Sequence, residues 1–534
     1  MDSLAHGLRR LPPAFWLLLL LPLLAVLPPV PIDETRYLSI AWEMRQTGQW
    51  VTLHLNGVPY FDKPPLLFWL LNAIWSVLVP TLWSARVLLL VCGMGCVVLC
   101  GRVERQLAPE ASGVASWLML GLMFFVLYTG VVMFDVLLCL CVLLGFVAIA
   151  RYVRTGDRKA LLLLFVASVL GVLTKGPVML LHLAGPMLLA PWWSERRPRV
   201  SWRSVVVMLL VAVLGGMPAL AWAWAAVHHL NPADAQELLL HQTAGRVVQS
   251  FAHNRPFWWY LPWAPVLLLP WPLLLRWRRV PAVARAWRES QTARLGLCAT
   301  VPALVAFCLV SGKQLHYLLP VLPGAAILLS AWLRHDAALL AVKRLWWLVA
   351  VIVVVFVWAV LRPAPLDDAS LSHGRAIWLY ALSAGLLVIA MVWLWLGRNV
   401  DSAARAAQAT LFLALAMLPL VRLQLLDALD VRPLAALEHE LRTQGVPMVR
   451  TTNEPGLLTF LARMPAPLPV ADDPVAWCVE HPNGVVLAYS GRGRPPEEAL
   501  TSARLANGWV ALVSARAVIN RPKSIDRFGD PSSE

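Results

Sequence analysis

The stretch Leu66-Leu-Phe-Trp-Leu-Leu-Asn-Ala-Ile-Trp-Ser-Val-Leu-Val79 decides how the rest of the chain is read. It is apolar and Trp-rich, yet only 14 residues long. A helix rises about 1.5 Å per residue and needs about 20 residues to cross the hydrocarbon core. Placed across the membrane, the stretch inverts the side of every loop after it. Placed along the surface, it leaves those loops where the other apolar blocks put them.

Those blocks recur from Phe15 almost to Leu425. By length they predict spans at 13–30, 84–101, 113–127, 134–150, 160–173, 178–191, 204–224, 257–275, 294–310, 317–333, 346–361, 377–396 and 406–423. The first ends in Pro28, Pro29 and Pro31 and reads as a retained helix rather than a cleaved signal. With the N-terminus inside and 66–79 lying outside, the inner segments hold 23 Lys and Arg. The outer ones hold nine: Arg36, Arg45, Lys63, Lys175, Arg246, Arg255, Lys313, Arg362 and Arg375. Basic residues collect on the cytoplasmic side, so this orientation wins and 66–79 is a juxtamembrane helix. The odd number of spans then puts the tail outside.

Composition agrees. Of 534 residues, 59% are hydrophobic and 14% charged, against roughly 25% charged in soluble domains. A net charge of +15 follows from basic inner loops and gives no reason to expect nucleic acid as a partner. The 27 Trp suit interfacial anchoring. Seven of the eight Cys lie in apolar segments and Cys478 stands alone in the tail, with neither zinc spacing nor a disulfide framework. From about 428 the composition is that of a soluble domain. Residues 434–444 and 454–463 read as helices, and 446–449, 485–489 and 509–513 as strands. The predicted fold is an all-α polytopic membrane protein of about 13 transmembrane helices, with juxtamembrane helices in the first outer loop. Residues 1–427 form that unit and 428–534 a small α/β domain on the outer face.

Charged groups at a membrane edge are functional candidates, because they are costly there. The first outer loop is the richest segment: Pro31-Ile-Asp-Glu-Thr-Arg-Tyr37, then Leu55-Asn-Gly-Val-Pro-Tyr-Phe-Asp-Lys-Pro-Pro65. Asp33 and Glu34 can act as a general base, orient an acceptor or bind a divalent cation, or they can simply cap a helix. Lys63, stiffened by Pro64 and Pro65, suits a phosphate as a point charge, or snorkels as an anchor. Asp135, in Val131-Val-Met-Phe-Asp-Val-Leu-Leu138, lies at the outer end of a span and is either used or caps it. Lys175, in Thr174-Lys-Gly-Pro177, breaks a long apolar run on the same side. Arg246 and Arg255 can clamp a phosphate or be ordinary loop arginines. Ser311-Gly-Lys-Gln-Leu-His-Tyr317 adds Lys313 and His316. Two acidic sites and several cations thus gather on one face, reached from five outer segments. This suits a lipid phosphate whose head group projects outward.

Asp33-Glu-Thr-Arg-Tyr37, followed by the segment 55–65, resembles the bacterial aminoarabinose transferases, relatives of the protein O-mannosyltransferases among the C-type membrane glycosyltransferases. Thr174-Lys-Gly-Pro177, Pro256-Phe-Trp-Trp-Tyr260 and Lys313-Gln-Leu-His-Tyr-Leu-Leu-Pro320 fit the same pattern. The likeness runs from residue 13 to about 425. Asp62 stands where the family usually has Glu.

The resemblance implies a polyprenyl-phosphate-linked sugar as donor and transfer at the periplasmic surface of a bacterial inner membrane. The N-terminus would be cytoplasmic and the C-terminal domain periplasmic. Asp33, Glu34 and Asp135 are the implied catalytic acids. Arg36, Lys63 and Arg246 are the implied donor-phosphate contacts. Tyr37, Tyr60, Lys175, Arg255, Lys313 and His316 are further substrate contacts. No cofactor is required; a divalent cation on Asp33 and Asp135 stays open. Lipid A phosphate receiving aminoarabinose is the leading acceptor, another envelope glycan or a protein the near alternative. A flippase for lipid-linked sugars is the rival from a different class; transporters usually place their charges near the midplane.

Overall fold

The computed structural model describes residues 11–195, 200–228, 254–285, 290–362, 373–397, 400–491, 495–505 and 508–521. Arg246, and the segment 241–253 around it, lie outside the described residues. Among the described residues, eight helices are long and apolar enough to cross a membrane. They are Leu82–Leu107, Phe134–Thr155, Trp202–His228, Gln291–Leu309, Leu315–His335, Val342–Leu361, Gly374–Leu396 and Ser402–Leu429.

Of the other five expected spans, four are shorter or interrupted, and the fifth is set apart by its charges. Block 13–30 becomes a 3-10 helix Pro13–Leu20 followed by a helix Leu21–Val26. Block 113–127 breaks into Val114–Leu120 and Met123–Thr129 around Gly121. At Gly121 a Cβ would stand 2.3 Å from the Trp271 ring, so the close approach of the two segments requires glycine. Block 257–275 splits into Phe257–Trp259, Tyr260–Leu267 and Trp271–Leu274, with Pro270 and Pro272 at the last break. Val178–Leu188 holds 11 residues. Arg158–Lys175 carries charge at both ends.

Four elements frame the first predicted outer loop. Helix α1, Asp33–Thr47, begins with Asp33 and Glu34 in its first turn and has Arg45 in its last, as the helix dipole favours. It stops at Gly48, in the left-handed conformation at φ 70°. A hairpin of β1, His54–Leu55, and β2, Val58–Pro59, turns through Asn56 and Gly57, both at positive φ. Helix α2, Leu66–Trp75, is the stretch that decided the topology. At ten residues it is about 15 Å long, too short to cross. It packs on α1, and Asn72 Nδ2 donates to Ala41 O at 2.9 Å. Helix α3, Leu82–Leu107, then starts from a capping box. The Thr81 hydroxyl accepts from Ser84 N, and Ser84 Oγ accepts from Thr81 N. Against α3 packs α4, Phe134–Thr155, and against α4 packs α5, Arg158–Lys175.

The tail forms a four-stranded sheet of order β3-β4-β6-β5. Its strands are β3, Met448–Arg450; β4, Val485–Ser490; β5, Ala499–Leu505; and β6, Gly508–Ser514. β3 runs parallel to β4, and the other pairs are antiparallel. Alternation puts Val485 and Leu487 on one face with Leu434 and Leu457, and Val486 and Ala488 on the other with Cys478. The tail cysteine is therefore a packing residue. The helix expected at 454–463 does not form. Glu454 instead accepts from Leu457 N with its own carboxylate, and Gly456 sits at φ 80°. Pro455 between them has no amide hydrogen to give a helix. This irregular segment lies along α1.

Candidate active site

Asp33 opens α1 with its carboxylate about two-fifths exposed, at 39%. Tyr37, one turn on, approaches it at 3.5 Å, and the Arg36 guanidinium stands 3.9 Å away. The Tyr37 ring meets Phe134 edge to face at 4.8 Å, so α1 and the start of α4 are locked together here. Burial, then the charges of Asp33, Tyr60 and Asp135, push the Tyr37 phenol well above its ordinary value, with Arg36 opposing. Tyr37 is therefore a hydrogen-bond donor at neutral pH.

Asp135 sits in the first turn of α4, 2% exposed. Its Oδ1 takes the Lys175 ammonium at 2.5 Å, and His316 Nε2 lies 3.9 Å from Oδ2. Lys175, at the end of α5, also stands 4.3 Å above the Tyr317 ring. The His316 ring leans against Tyr128 and Tyr317, at 5.9 and 4.8 Å. Asp135, Lys175, Asp33 and Lys63 are the charges around His316. Lys63 is half-buried in the irregular link between β2 and α2, and Tyr60 is buried just before it. Asp135, Lys175 and His316 are thus in direct contact, Asp33 meets Arg36 and Tyr37, and Tyr60 and Lys63 lie within electrostatic reach of Tyr37 and His316; these residues together form the candidate basin.

Three others do different work. Glu34 was expected as an acid beside Asp33, but successive helical residues point apart by about 100°. Glu34 turns inward and is fully buried against Arg86. Arg86 Nε donates to Oε1 at 2.9 Å and Nη2 to Oε2 at 2.7 Å. The amides of Val132 and Val30 complete the carboxylate at 2.9 and 2.8 Å. The same guanidinium donates to the carbonyls of Leu24, Leu27 and Pro28, the end of the first apolar block. Glu34 is a structural anchor with no free oxygen to offer a reactant. Lys313 is likewise buried, its ammonium held by the carbonyls of Arg255, at 3.0 Å, and Val310. It ties the segments around Arg255 and Val310 together. Arg255 is exposed, with its guanidinium 5.9 Å from the Trp259 ring.

Sequence reading passed over Arg86, Tyr128 and Tyr317. Arg86 was hidden by its placement inside an apolar block, where its cost should have marked it. Tyr317 and Tyr128 carried no charge to attract notice. As for a divalent cation, Asp135 already has an ammonium against it. Among the described residues no group of three or more His, Cys, Asp or Glu forms a metal cage.

Residues 62–222 match the family of dolichyl-phosphate-mannose-protein mannosyltransferase. The undecaprenyl phosphate-alpha-4-amino-4-deoxy-L-arabinose arabinosyl transferase 1 of Pseudomonas fluorescens (strain Pf0-1) is 30% identical over 330 residues, 59% of this chain and 56% of that protein. The chain thus spans about half the length of the curated relatives it matches. In three dimensions it aligns with the crystal structure of ArnT from Cupriavidus metallidurans in the apo state, with TM-score 0.70, 95% of each chain and 17% identity. The structure of that protein bound to undecaprenyl phosphate aligns with TM-score 0.70, over 93% of this chain and 98% of the other, again at 17% identity. The helical membrane fold with a small C-terminal sheet is shared with that protein.

Proposed function

We propose that this chain, similar to the aminoarabinose transferases and through them to the protein mannosyltransferases, is a membrane glycosyltransferase. It moves a sugar from a polyprenyl-phosphate carrier to an acceptor at the periplasmic face of a bacterial inner membrane. The N-terminus is cytoplasmic, and aminoarabinose and lipid A phosphate are the leading donor sugar and acceptor. The observation that carries this reading is the basin itself. It combines an exposed carboxylate, Asp33, beside the cation Arg36, with a buried ion pair, Asp135 and Lys175, beside His316, and Asp33 and Lys63 are among the charges that His316 feels.

In the step envisaged, an acceptor oxygen forms a bond to the anomeric carbon. The bond from that carbon to the phosphate oxygen breaks, and polyprenyl phosphate leaves with the electron pair. Arg36 and Lys63, with Arg246 from outside the described residues, stabilise the charge growing on the leaving phosphate. Asp33 orients an already ionised phosphate acceptor, or takes the proton from a hydroxyl acceptor. Asp135 fixes Lys175 and His316. Tyr37, as a donor, and Tyr60 line the sugar side.

Mass spectrometry of lipid A from cells with and without the protein tests the acceptor. Added aminoarabinose only in its presence supports the reading. An unchanged profile removes lipid A and moves the search to another envelope glycan or a protein.

A further inference from the structure

One stripe of α1 lies against the 454–464 segment of the tail. Arg36 Nε donates to Pro455 O at 3.3 Å, Ser39 Oγ to Gly456 O at 3.0 Å, and Trp42 Nε1 to Met464 O at 2.8 Å. Ser39 Oγ also accepts from Phe460 N at 3.3 Å. These α1 residues are spaced by three, one face of a helix. Phe460 lies flat on Trp75 of α2, with ring centroids 5.1 Å apart and planes 7° apart. A second set of bonds reaches the hairpin. Asn56 Nδ2 donates to Glu454 O at 2.6 Å and to Glu454 Oε1 at 3.0 Å. Arg450 Nη2 donates to Asn56 O at 2.9 Å, and Thr459 Oγ1 to Asn56 Oδ1 at 3.0 Å. Glu43 of α1 accepts from Gly57 N at 2.7 Å. Glu43, Asn56, Arg450, Glu454 and Thr459 are all buried.

Gly456 is the closest approach. A Cβ there would stand 3.1 Å from Arg36 Cα and 2.6 Å from Leu55 Cδ1, and its φ of 80° disfavours any side chain. The tail therefore presses on the backbone of Arg36 and on the hairpin that leads into Tyr60 and Lys63.

We infer that the Glu454-Pro455-Gly456 turn is a positioning element of the outer basin, setting where Arg36 and Lys63 stand for the donor phosphate. This rests on the transferase reading for its substrate. The tail would then be a working part of the site rather than an appendage, with Glu454 and Gly456 acting through Arg36 and Asn56.

The test uses the full chain. In Glu454→Ala and Gly456→Ala, KM for the polyprenyl-phosphate sugar should rise on the order of ten-fold, the effect of one lost hydrogen-bonded contact. kcat should change less. Glu454→Gln, which keeps one of the two acceptor oxygens that Asn56 and Leu457 use, should restore part of the affinity. Glu498→Gln, which alters only the ion pair with Arg521 in the tail, should behave as wild type. A second readout needs no turnover: amide exchange in peptides from α1 should quicken in Gly456→Ala, while β4 and β6 keep their protection. If the wild type transfers nothing, the transferase reading falls, and binding of undecaprenyl phosphate replaces KM in deciding the role of the turn. Unchanged α1 exchange overturns the inference. So does faster exchange with unchanged KM or binding, since the turn would then brace the helix without setting the site.

Discussion

Glu34 and Arg86 face each other in a fully buried, two-pronged ion pair, and Arg86 also holds three carbonyls at the end of the first apolar block. Their neighbour Asp33 faces outward. One residue step on α1 thus separates an anchor from a candidate reactant. Removing one partner of a buried pair leaves the other uncompensated, at a cost of about 3–5 kcal/mol. Arg86→Met should therefore lower thermal stability and the yield of folded protein sharply, as read by melting in detergent. Asp33→Asn should leave the melting temperature near wild type and abolish transfer. A stable Arg86→Met would refute the anchoring role.

Asp135 and Lys175 make a different case, because the pair is largely buried and lies against His316. Asp135→Asn strands a largely buried ammonium, so both stability and activity should fall. In the double variant Asp135→Asn with Lys175→Met no charge is stranded, so much of the stability should return, but not the activity. A double-mutant cycle measures the coupling. Additive effects on stability would show that the two side chains do not act as a pair.

Lys313 should behave as a tie, not as a phosphate contact. Its ammonium already meets the carbonyls of Arg255 and Val310. Lys313→Met should cost stability, about 1–3 kcal/mol for the carbonyls left unsatisfied, with KM for donor changed less than in Lys63→Ala. A larger KM effect at Lys313 than at Lys63 would reverse the assignment.

The clasp between the tail and the first predicted outer loop should depend on pH. Burial raises the carboxyl pKa of both Glu43 and Glu454; the amides and Arg450 oppose it. Their folded values lie above the unfolded ones. The contribution of each is then full below the ordinary carboxyl range and is lost as pH rises through the folded value. Arg450 is the cation facing both. Amide protection in α1 should thus be greater at mildly acidic pH than at alkaline pH, and Glu454→Gln should flatten the dependence. Protection that grows as pH rises would contradict the sign.

Much of this architecture was legible in advance, for physical reasons. The brevity of 66–79 set that stretch apart from the spans, and α2, at ten residues, is too short to cross. Asp33, Lys63, Asp135, Lys175 and His316, from four of the predicted outer segments, could be singled out because charges at membrane edges are rare enough to stand out. Span lengths were less legible. The close packing at Gly121 and the break at Pro270 are set by neighbours distant in sequence. The partner of Glu34 was not legible, because Arg86 lies 52 residues further on and only the fold brings the two together. The helix expected at 454–463 does not form because its apolar residues serve contact with α1 and the sheet instead.

The most direct measurement follows the donor itself. Purified protein in lipid discs is given undecaprenyl-phosphate aminoarabinose and lipid A, and free undecaprenyl phosphate is quantified. Release with the wild type, and none with folded Asp33→Asn or Lys63→Ala, is the expected result. A wild type that moves the donor without releasing undecaprenyl phosphate, or full release by both variants, would contradict a transferase site at the outer basin.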